Sequence, residues 1–307
     1  MSYKCTNECK HCALYGSPNQ NNCLIELEDV KKYLKNITSN YLINEIGFFG
    51  GEPLLHFNLL VNLIEEVKRY DIPKIGLPTN GYWGKDEKIA KKYALRLREA
   101  GLNQIGFSVD AFHQEFISLD TVRVAIKAAY EAGIEWIGLV AQNLGSKDEK
   151  NVFNEQTKKI TDALSKEFEF CQVINSELLV MGRAASQLIN YYSLTTIPSD
   201  KCHIFKVPMF MIDPNGWVFH QSCQGITIGN AKEKPLSEII NEFNYRRHPI
   251  ISKVVSKGGP QNLLEIAIEK GYEPLNGYAD KCHLCFSVRN FLRPFYPNIL
   301  EPPHLYL

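Results

Sequence analysis

Three cysteines near the start of the chain, Cys5, Cys9 and Cys12, constrain its fold and chemistry more than any other feature. Their spacing, Cys-x3-Cys-x2-Cys, places three thiols on one short stretch of chain. Three thiolates can bind three irons of a 4Fe-4S cluster and leave the fourth iron open to a substrate or cofactor. The alternative is a buried helical stripe, because the positions also follow i, i+4, i+7. The intervening residues are polar and Gly-Ser-Pro follows at 16–18, which favours a metal-binding loop.

Composition limits the classes of partner. Lys+Arg and Asp+Glu both number 34 in 307 residues, so no bulk charge indicates a nucleic acid or a membrane surface. There is no apolar run of about 18 residues and no signal-peptide pattern, which predicts a cytoplasmic protein with reduced cysteines. Nine reduced cysteines, several of them clustered, favour metal binding over disulfides.

Beyond the cysteine loop, apolar strands alternate with amphipathic helices. Such strands predict a parallel sheet covered by helices, with functional groups at the carboxyl ends of the strands. The predicted strands are 43–49, 73–78, 104–109, 134–141 and 177–181. Polar residues follow several of these strands, and they line a pocket or serve as ordinary turn and capping residues. They include Asn80, Ser108, Asp110 and Arg183.

The composition changes after Met181. Two short strands, Pro208–Ile212 and Trp217–His220, flank a hairpin turn with the sequence Asp-Pro-Asn-Gly. The Cys-x2-Cys pair near the carboxyl end could be a redox pair or half of a zinc site. With two further cysteines, it could complete either tetrahedral zinc or a 4Fe-4S cluster. The four cysteines are Cys202, Cys223, Cys282 and Cys285.

Two motifs in order resemble the signature of the radical SAM superfamily. The cysteine triplet is one, and Gly50-Gly51-Glu52-Pro53 after a strand-like run is the other. The resemblance implies a partial (β/α)6 barrel. It implies that Cys5, Cys9 and Cys12 hold a 4Fe-4S cluster whose open iron is chelated by S-adenosylmethionine. Reductive cleavage of this cofactor would give a 5′-deoxyadenosyl radical that abstracts hydrogen from a substrate carbon.

The same resemblance implies a set of cofactor-binding residues. The Gly-Gly-Glu segment would meet the methionine amino group, the strand-end Ser and Asp would face the ribose, and the Arg of the Gly-Arg-Ala sequence would approach the carboxylate. In this chain the set is Gly50, Gly51, Glu52, Asn80, Ser108, Asp110 and Arg183. Only four residues precede Cys5, so we expect a very short first strand or an incomplete start.

The carboxyl-terminal features resemble the auxiliary-cluster extension of SPASM and twitch enzymes. This resemblance implies a core at 1–190, a small domain at 191–307, and a second 4Fe-4S cluster held by Cys202, Cys223, Cys282 and Cys285. In those families the second cysteine follows the hairpin glycine at the position that Gln221 holds here, whereas Cys223 lies two residues further on. Cys223 is therefore either a cluster ligand or a free thiol that donates hydrogen to the substrate.

Three runs of sequence are similar to those of radical SAM peptide epimerases: TNGYWG at 79–84, SVDAFHQEF at 108–116 and MGRAA at 181–185. The similarity implies a ribosomally made precursor peptide as substrate, L-to-D epimerisation of a residue, and a low-potential electron donor such as flavodoxin or ferredoxin. The alternatives are peptide cross-linking through a thioether or carbon–carbon bond, and modification of a small metabolite. A non-enzymatic cysteine-metal protein is a further alternative. No nucleic acid or membrane partner is expected.

Overall fold

The computed structural model describes residues 1–195, 197–203, 205 and 209–306, and the chain divides into two compact units. The first unit comprises Met1–Cys9 and Gly16–Leu178, and the second comprises Lys10–Tyr15 and Leu179–Leu307. The predicted division at residue 190 stays a prediction.

The first unit is built on a five-stranded parallel sheet whose strands lie in sequence order. The strands are β1 Glu45–Gly47, β2 Lys74–Thr79, β3 Gln104–Ser108, β4 Trp136–Asn143 and β5 Gln172–Glu177. The helices are α1 Leu27–Thr38, α2 Phe57–Lys68, α3 Glu87–Ala100, α4 Leu119–Glu131 and α5 Val152–Glu167. Parallel neighbours joined through helices confirm the predicted α/β class.

Local sequence explains where these elements begin and what they bury. Three helices start after polar N-cap side chains that accept a backbone N–H bond in the first turn. These caps are Asp86, Ser118 and Asn151. On β3, Ile105 and Phe107 are fully buried, in agreement with the apolar run predicted there. The carboxyl ends of β2, β3 and β4 therefore rest on a packed core, which fixes the polar residues that follow.

The prediction of a strand at 177–181 is wrong. The fifth strand is β5, Gln172–Glu177, and all six of its residues are exposed. It lies at the edge of the sheet, so its sequence QVINSE lacks the apolar signature of a buried strand. Leu178, Val180 and Met181 are buried outside any strand, and this apolar run caused the error.

The second unit contains an antiparallel sheet of β6 Phe210–Ile212, β7 Trp217–His220 and β8 Cys223–Asn230. The hairpin between β6 and β7 is confirmed; the Asp213 carboxylate accepts bonds from the backbone N–H groups of Asn215 and Trp217. The predicted start of the first strand, Pro208, lies outside the described residues.

The helices of the second unit are α6 Ala184–Gln187, α7 Leu236–Glu242, α8 Ile251–Val255, α9 Gln261–Glu269 and α10 Lys281–Leu292. Among the described residues, no helix is both long and apolar enough to span a bilayer.

Candidate functional site

Glu52 of the Gly-Gly-Glu-Pro motif is a buried carboxyl group surrounded by hydrogen-bond donors. It accepts bonds from Thr79 Oγ1 at 2.9 Å, from the Asn80 backbone N–H at 2.8 Å and from the Leu54 backbone N–H at 3.1 Å. Burial nevertheless raises the pKa of Glu52 to about 7, because these donors offset only part of the desolvation of the charged form. A cationic group placed beside Glu52 would favour its ionised form.

Asn80 connects Glu52 to the first cysteine. Its Nδ2 donates to Thr6 Oγ1 at 2.8 Å and lies 3.9 Å from Cys5 Sγ, while its Oδ1 accepts the Tyr82 backbone N–H at 3.0 Å. Asn80 directly follows β2, so the end of this strand sets its position. The structure thus brings together Cys5 and Glu52, which belong to two separate motifs, and Asn80, which was predicted at the end of a strand.

The two motif glycines allow the N-terminal segment to pass close to the motif. Gly51 N–H donates to the Ser2 carbonyl at 2.7 Å, and Glu52 N–H donates to the Lys4 carbonyl at 2.9 Å. A Cβ on Gly51 would clash with the Lys4 carbonyl, and a Cβ on Gly50 would clash with that of Ser2. The glycines therefore hold the residues before Cys5 in place. Their predicted approach to a cofactor stays a prediction.

Asp110 lies two residues past Ser108, the last residue of β3, and its carboxylate makes contacts within the chain. Its Oδ1 accepts a bond from the Phe112 backbone N–H at 3.1 Å and lies 2.9 Å from His113 Nδ1, while Oδ2 accepts the Gln142 N–H at 3.2 Å. Burial acts to lower the pKa of His113, but the charge and the hydrogen bond of Asp110, together with the charge of Glu52, outweigh burial, so the pKa is raised. Asp110 is fully buried and Ser108 is partly exposed, so their predicted ribose contacts stay predictions.

In the second unit, the Gly-Arg-Ala segment contacts the loop that carries Cys12. The Arg183 backbone N–H donates to the Cys12 carbonyl at 3.2 Å, and the Arg183 guanidinium lies 5.8 Å from the Tyr15 ring centroid. Gly182 has a φ of 60°, and a Cβ there would lie 2.7 Å from the Cys12 carbonyl oxygen. Gly182 is thus needed for this close approach, which places buried Arg183 beside the third cysteine.

The four cysteines of the second unit come together from three parts of the chain. Cys282 and Cys285 lie in the first two turns of α10, Cys223 is the first residue of β8, and the Cys202 N–H donates to the Val254 carbonyl at 2.8 Å. The Cys282 thiol interacts electrostatically with each of the other three. Burial raises the pKa of Cys223 to about 12 and also raises the pKa values of Cys282 and Cys285. Grouped thiols that are neutral by themselves can become thiolates when a cation binds, which fits a metal site.

Sequence reasoning missed two residues at these sites. Thr79 supplies a hydrogen bond to Glu52, and Arg289 lies fully buried beside the carboxyl-terminal cysteines. Arg289 follows Cys285 by four residues and Cys282 by seven on α10. That helical spacing was the signal that could have identified it.

The amino-terminal segment that carries the first cysteine site matches a known protein family. Residues 1–148 match the family model described as the radical SAM superfamily. This segment is a radical SAM domain. The family implies S-adenosylmethionine and a 4Fe-4S cluster. The residues fit, because Cys5, the first of three thiols in the cluster spacing, lies beside Asn80, whose backbone N–H binds the buried carboxyl group of Glu52.

Relatives of the radical SAM domain are named for different functions. YydG of Bacillus subtilis (strain 168), named for peptide biosynthesis, is 28% identical over 123 residues, which cover 40% of this chain and 38% of YydG. The chain thus spans well under half the length of this relative. The GTP 3′,8-cyclase of Campylobacter curvus (strain 525.92) is 24% identical over 253 residues, 74% of this chain and 75% of the cyclase.

A solved structure has the same fold along nearly the whole chain. It is described as native anSMEcpe with bound AdoMet and Cp18Cys peptide. The TM-score is 0.53 at 16% identity, with coverage of 96% of this chain and 95% of that one. The similarity therefore extends beyond the radical SAM domain into the second unit.

Proposed function

We propose that this chain is an enzyme that cleaves S-adenosylmethionine reductively and uses the resulting radical to abstract hydrogen from a substrate carbon. The observation that carries the proposal is the Glu52–Asn80–Cys5 network, which joins the two motifs of the radical SAM family at the end of β2. A cysteine loop for a cluster and a carboxyl group for a ligand cation stand together there.

The chain's own residues have separate tasks in this proposal. Cys5, Cys9 and Cys12 hold the 4Fe-4S cluster, which together with S-adenosylmethionine supplies the 5′-deoxyadenosyl radical when both are bound. Glu52 would accept hydrogen bonds from the methionine amino group as a carboxylate, and its proton would pass to solvent. Arg183 would bind the methionine carboxylate. Gly50, Gly51, Ser108 and Asp110 are the other residues that we propose for cofactor binding.

We further propose that the four carboxyl-terminal cysteines hold a second 4Fe-4S cluster. The hairpin between β6 and β7, the cysteines on either side of it and the late Cys-x2-Cys pair resemble an auxiliary-cluster extension, which favours iron and sulfur over zinc at this site.

A ribosomally made peptide is the substrate we favour, with L-to-D epimerisation as the leading reaction. Support comes from the peptide-related name of YydG and from the peptide in the anSMEcpe structure. The sequence runs at 79–84, 108–116 and 181–185 point the same way. A low-potential donor such as flavodoxin or ferredoxin would supply the electrons.

A small metabolite is the second candidate substrate. The observation in its favour is the similarity to a GTP 3′,8-cyclase, which extends over three quarters of both chains. Assays that offer the enzyme peptides encoded by reading frames adjacent to its gene would distinguish the two candidate substrates. If none of them gains a modification or solvent deuterium while 5′-deoxyadenosine forms with small-molecule pools, the peptide proposal is wrong.

Cys223 decides between two versions of the epimerase reaction. Its thiol is buried and interacts electrostatically with Cys202 and Cys285, which supports a ligand role. As a hydrogen donor it would instead leave a thiyl radical, and one electron and one proton from the external reductant would restore the thiol.

The test is Cys223→Ala, with Cys171→Ala as a matched control outside both cysteine sites. We expect the first variant to lose about one cluster's iron, four atoms per chain, and the control to lose none. Full iron content and continued formation of 5′-deoxyadenosine, with loss of deuterium incorporation at the substrate carbon, would instead make Cys223 the donor.

A further inference from the structure

Arg289 is a buried cation whose hydrogen-bond partners are neutral. Its side chain is 2% exposed, and its Nη1 donates to the Gln224 carbonyl at 3.1 Å and to Tyr306 Oη at 3.1 Å. A guanidinium group stays protonated in proteins, and burying its charge is unfavourable unless negative charge lies nearby. A carbonyl and a phenol do not supply that charge.

The negative charge can come from the four cysteines, because Arg289 lies on the helix that carries two of them and binds the segment that carries a third. Cys282, Cys285 and Arg289 lie at i, i+3 and i+7 on α10, so they share one face of the helix. Gln224, whose carbonyl Arg289 binds, directly follows Cys223. The guanidinium also interacts electrostatically with the Cys285 thiol.

One donor of this guanidinium remains available for a ligand. Arg289 Nε is buried and has no hydrogen-bond partner among the described residues. Leaving a buried N–H group without a partner is unfavourable, and it is more unfavourable when the donor is charged. A sulfide or thiolate of a bound cluster is the kind of acceptor that would satisfy it.

Aromatic rings hold the Arg289 guanidinium in a fixed position. Its Cζ lies 5.9 Å from the Phe286 ring centroid and 5.6 Å from that of Tyr306. These two rings stack on each other at 6.0 Å with an interplanar angle of 7°, and Tyr306 Oη donates to the Gly225 carbonyl. The charge is therefore presented by a rigid framework and not by a mobile side chain.

We propose that Arg289 is a positioning residue of the carboxyl-terminal metal centre, donating hydrogen bonds to the cluster's sulfur atoms and raising its reduction potential. The proposal deepens the proposed function and rests on the second cluster. Reduction adds one negative charge to the centre, and a fixed positive charge in a buried, low-dielectric setting stabilises the reduced form. The residue acts on the cluster and not on the substrate.

The experiment uses the full chain with Cys5, Cys9 and Cys12 replaced by alanine, so that the remaining cluster is titrated alone. In this background, Arg289→Gln should bind the same amount of iron as the parent. An EPR-monitored redox titration should show a reduction potential lower by at least about 59 mV, which is a tenfold change in the equilibrium for one electron. Arg289→Lys should show a smaller shift, because it keeps the charge but loses the planar fork. Arg293→Gln is the matched control, since Arg293 lies four residues further on and pairs with Glu301.

The possible results distinguish a failure of the Arg289 proposal from a failure of the second-cluster proposal on which it rests. If the triple alanine variant binds no iron while the parent still forms 5′-deoxyadenosine, the second cluster is absent. The proposed role of Arg289 is then wrong as well. If Arg289→Gln binds iron with the parent potential, the cluster stands and the role of Arg289 is wrong. If Arg289→Gln does not fold, Arg289→Lys and Tyr306→Phe decide, and unchanged potentials in both would overturn the proposal.

Discussion

At the scale of single residues, Glu52 combines burial with a proton that it exchanges near neutral pH. Its pKa lies at about 7 because desolvation outweighs the three bonds that it accepts. The folded chain therefore keeps a proton on Glu52 between its ordinary value of 4.5 and about 7, whereas the unfolded chain has lost it. Unfolding releases a proton in this range, so rising pH favours unfolding.

The first prediction follows from this linkage. Without cofactors, the Glu52 contribution to the free energy of unfolding is fully present below pH 4.5 and falls by about 3 kcal/mol as pH rises to 7. Glu52→Gln removes the titrating group and should show a shallower fall than the parent. Urea unfolding of both proteins at pH 5 and pH 8 measures the difference. Equal falls in the two proteins would show that Glu52 is ionised in the folded chain throughout.

At the scale of elements, the N-terminal segment and the Gly-Gly-Glu-Pro motif form one backbone arrangement. Gly51→Ala should break the bonds to Ser2 and Lys4 and lower the free energy of unfolding by about 2 kcal/mol, because the clash is with backbone. Gly16→Ala is the control, since a Cβ there makes ordinary contacts of 3.4–3.6 Å, and it should cost less than about 1 kcal/mol. Urea unfolding without cofactor measures both. A Gly51→Ala protein as stable as the parent would mean that the glycine serves the cofactor alone.

The sequence predicted elements well where an apolar pattern reflects burial. Strands β2, β3 and β4 are mostly buried, and their predicted positions agree with the structure to within two residues. The edge strand β5 is exposed throughout, so its sequence carries no such pattern and the neighbouring apolar run was chosen instead. Strand β8 was not predicted, because the glycines at 225 and 229 interrupt its pattern.

The site residues also include some that the sequence could predict and some that it could not. Motif spacing predicted the cysteines and Glu52 as site residues, because ligand chemistry restricts which residue types can stand there. It could not identify the Asn80 contact with Thr6 or the link from Arg289 to Gln224, which join residues 74 and 65 positions apart. Such partners depend on how the chain folds back and leave no local signal.

At the scale of the whole molecule, the two cysteine sets belong to chain segments that are distant in sequence. Cys5, Cys9 and Cys12 occupy the first twelve residues, and the other four lie at 202–285. The electrostatic partners given for Cys223 and Cys282 are the other cysteines of the second set, Arg289 and Asp280, and none of these partners belongs to the first set. Removing the first set should therefore leave the second site able to assemble.

The central claim is that Cys5, Cys9 and Cys12 support the cleavage of S-adenosylmethionine, and one measurement tests it directly. The parent and the triple variant Cys5→Ala, Cys9→Ala, Cys12→Ala are reconstituted anaerobically with iron and sulfide, reduced with dithionite and given S-adenosylmethionine. We predict 5′-deoxyadenosine from the parent with about eight irons per chain, and none from the variant, which keeps about four. Equal formation of 5′-deoxyadenosine by both proteins, or none by a parent that holds eight irons, would contradict the account.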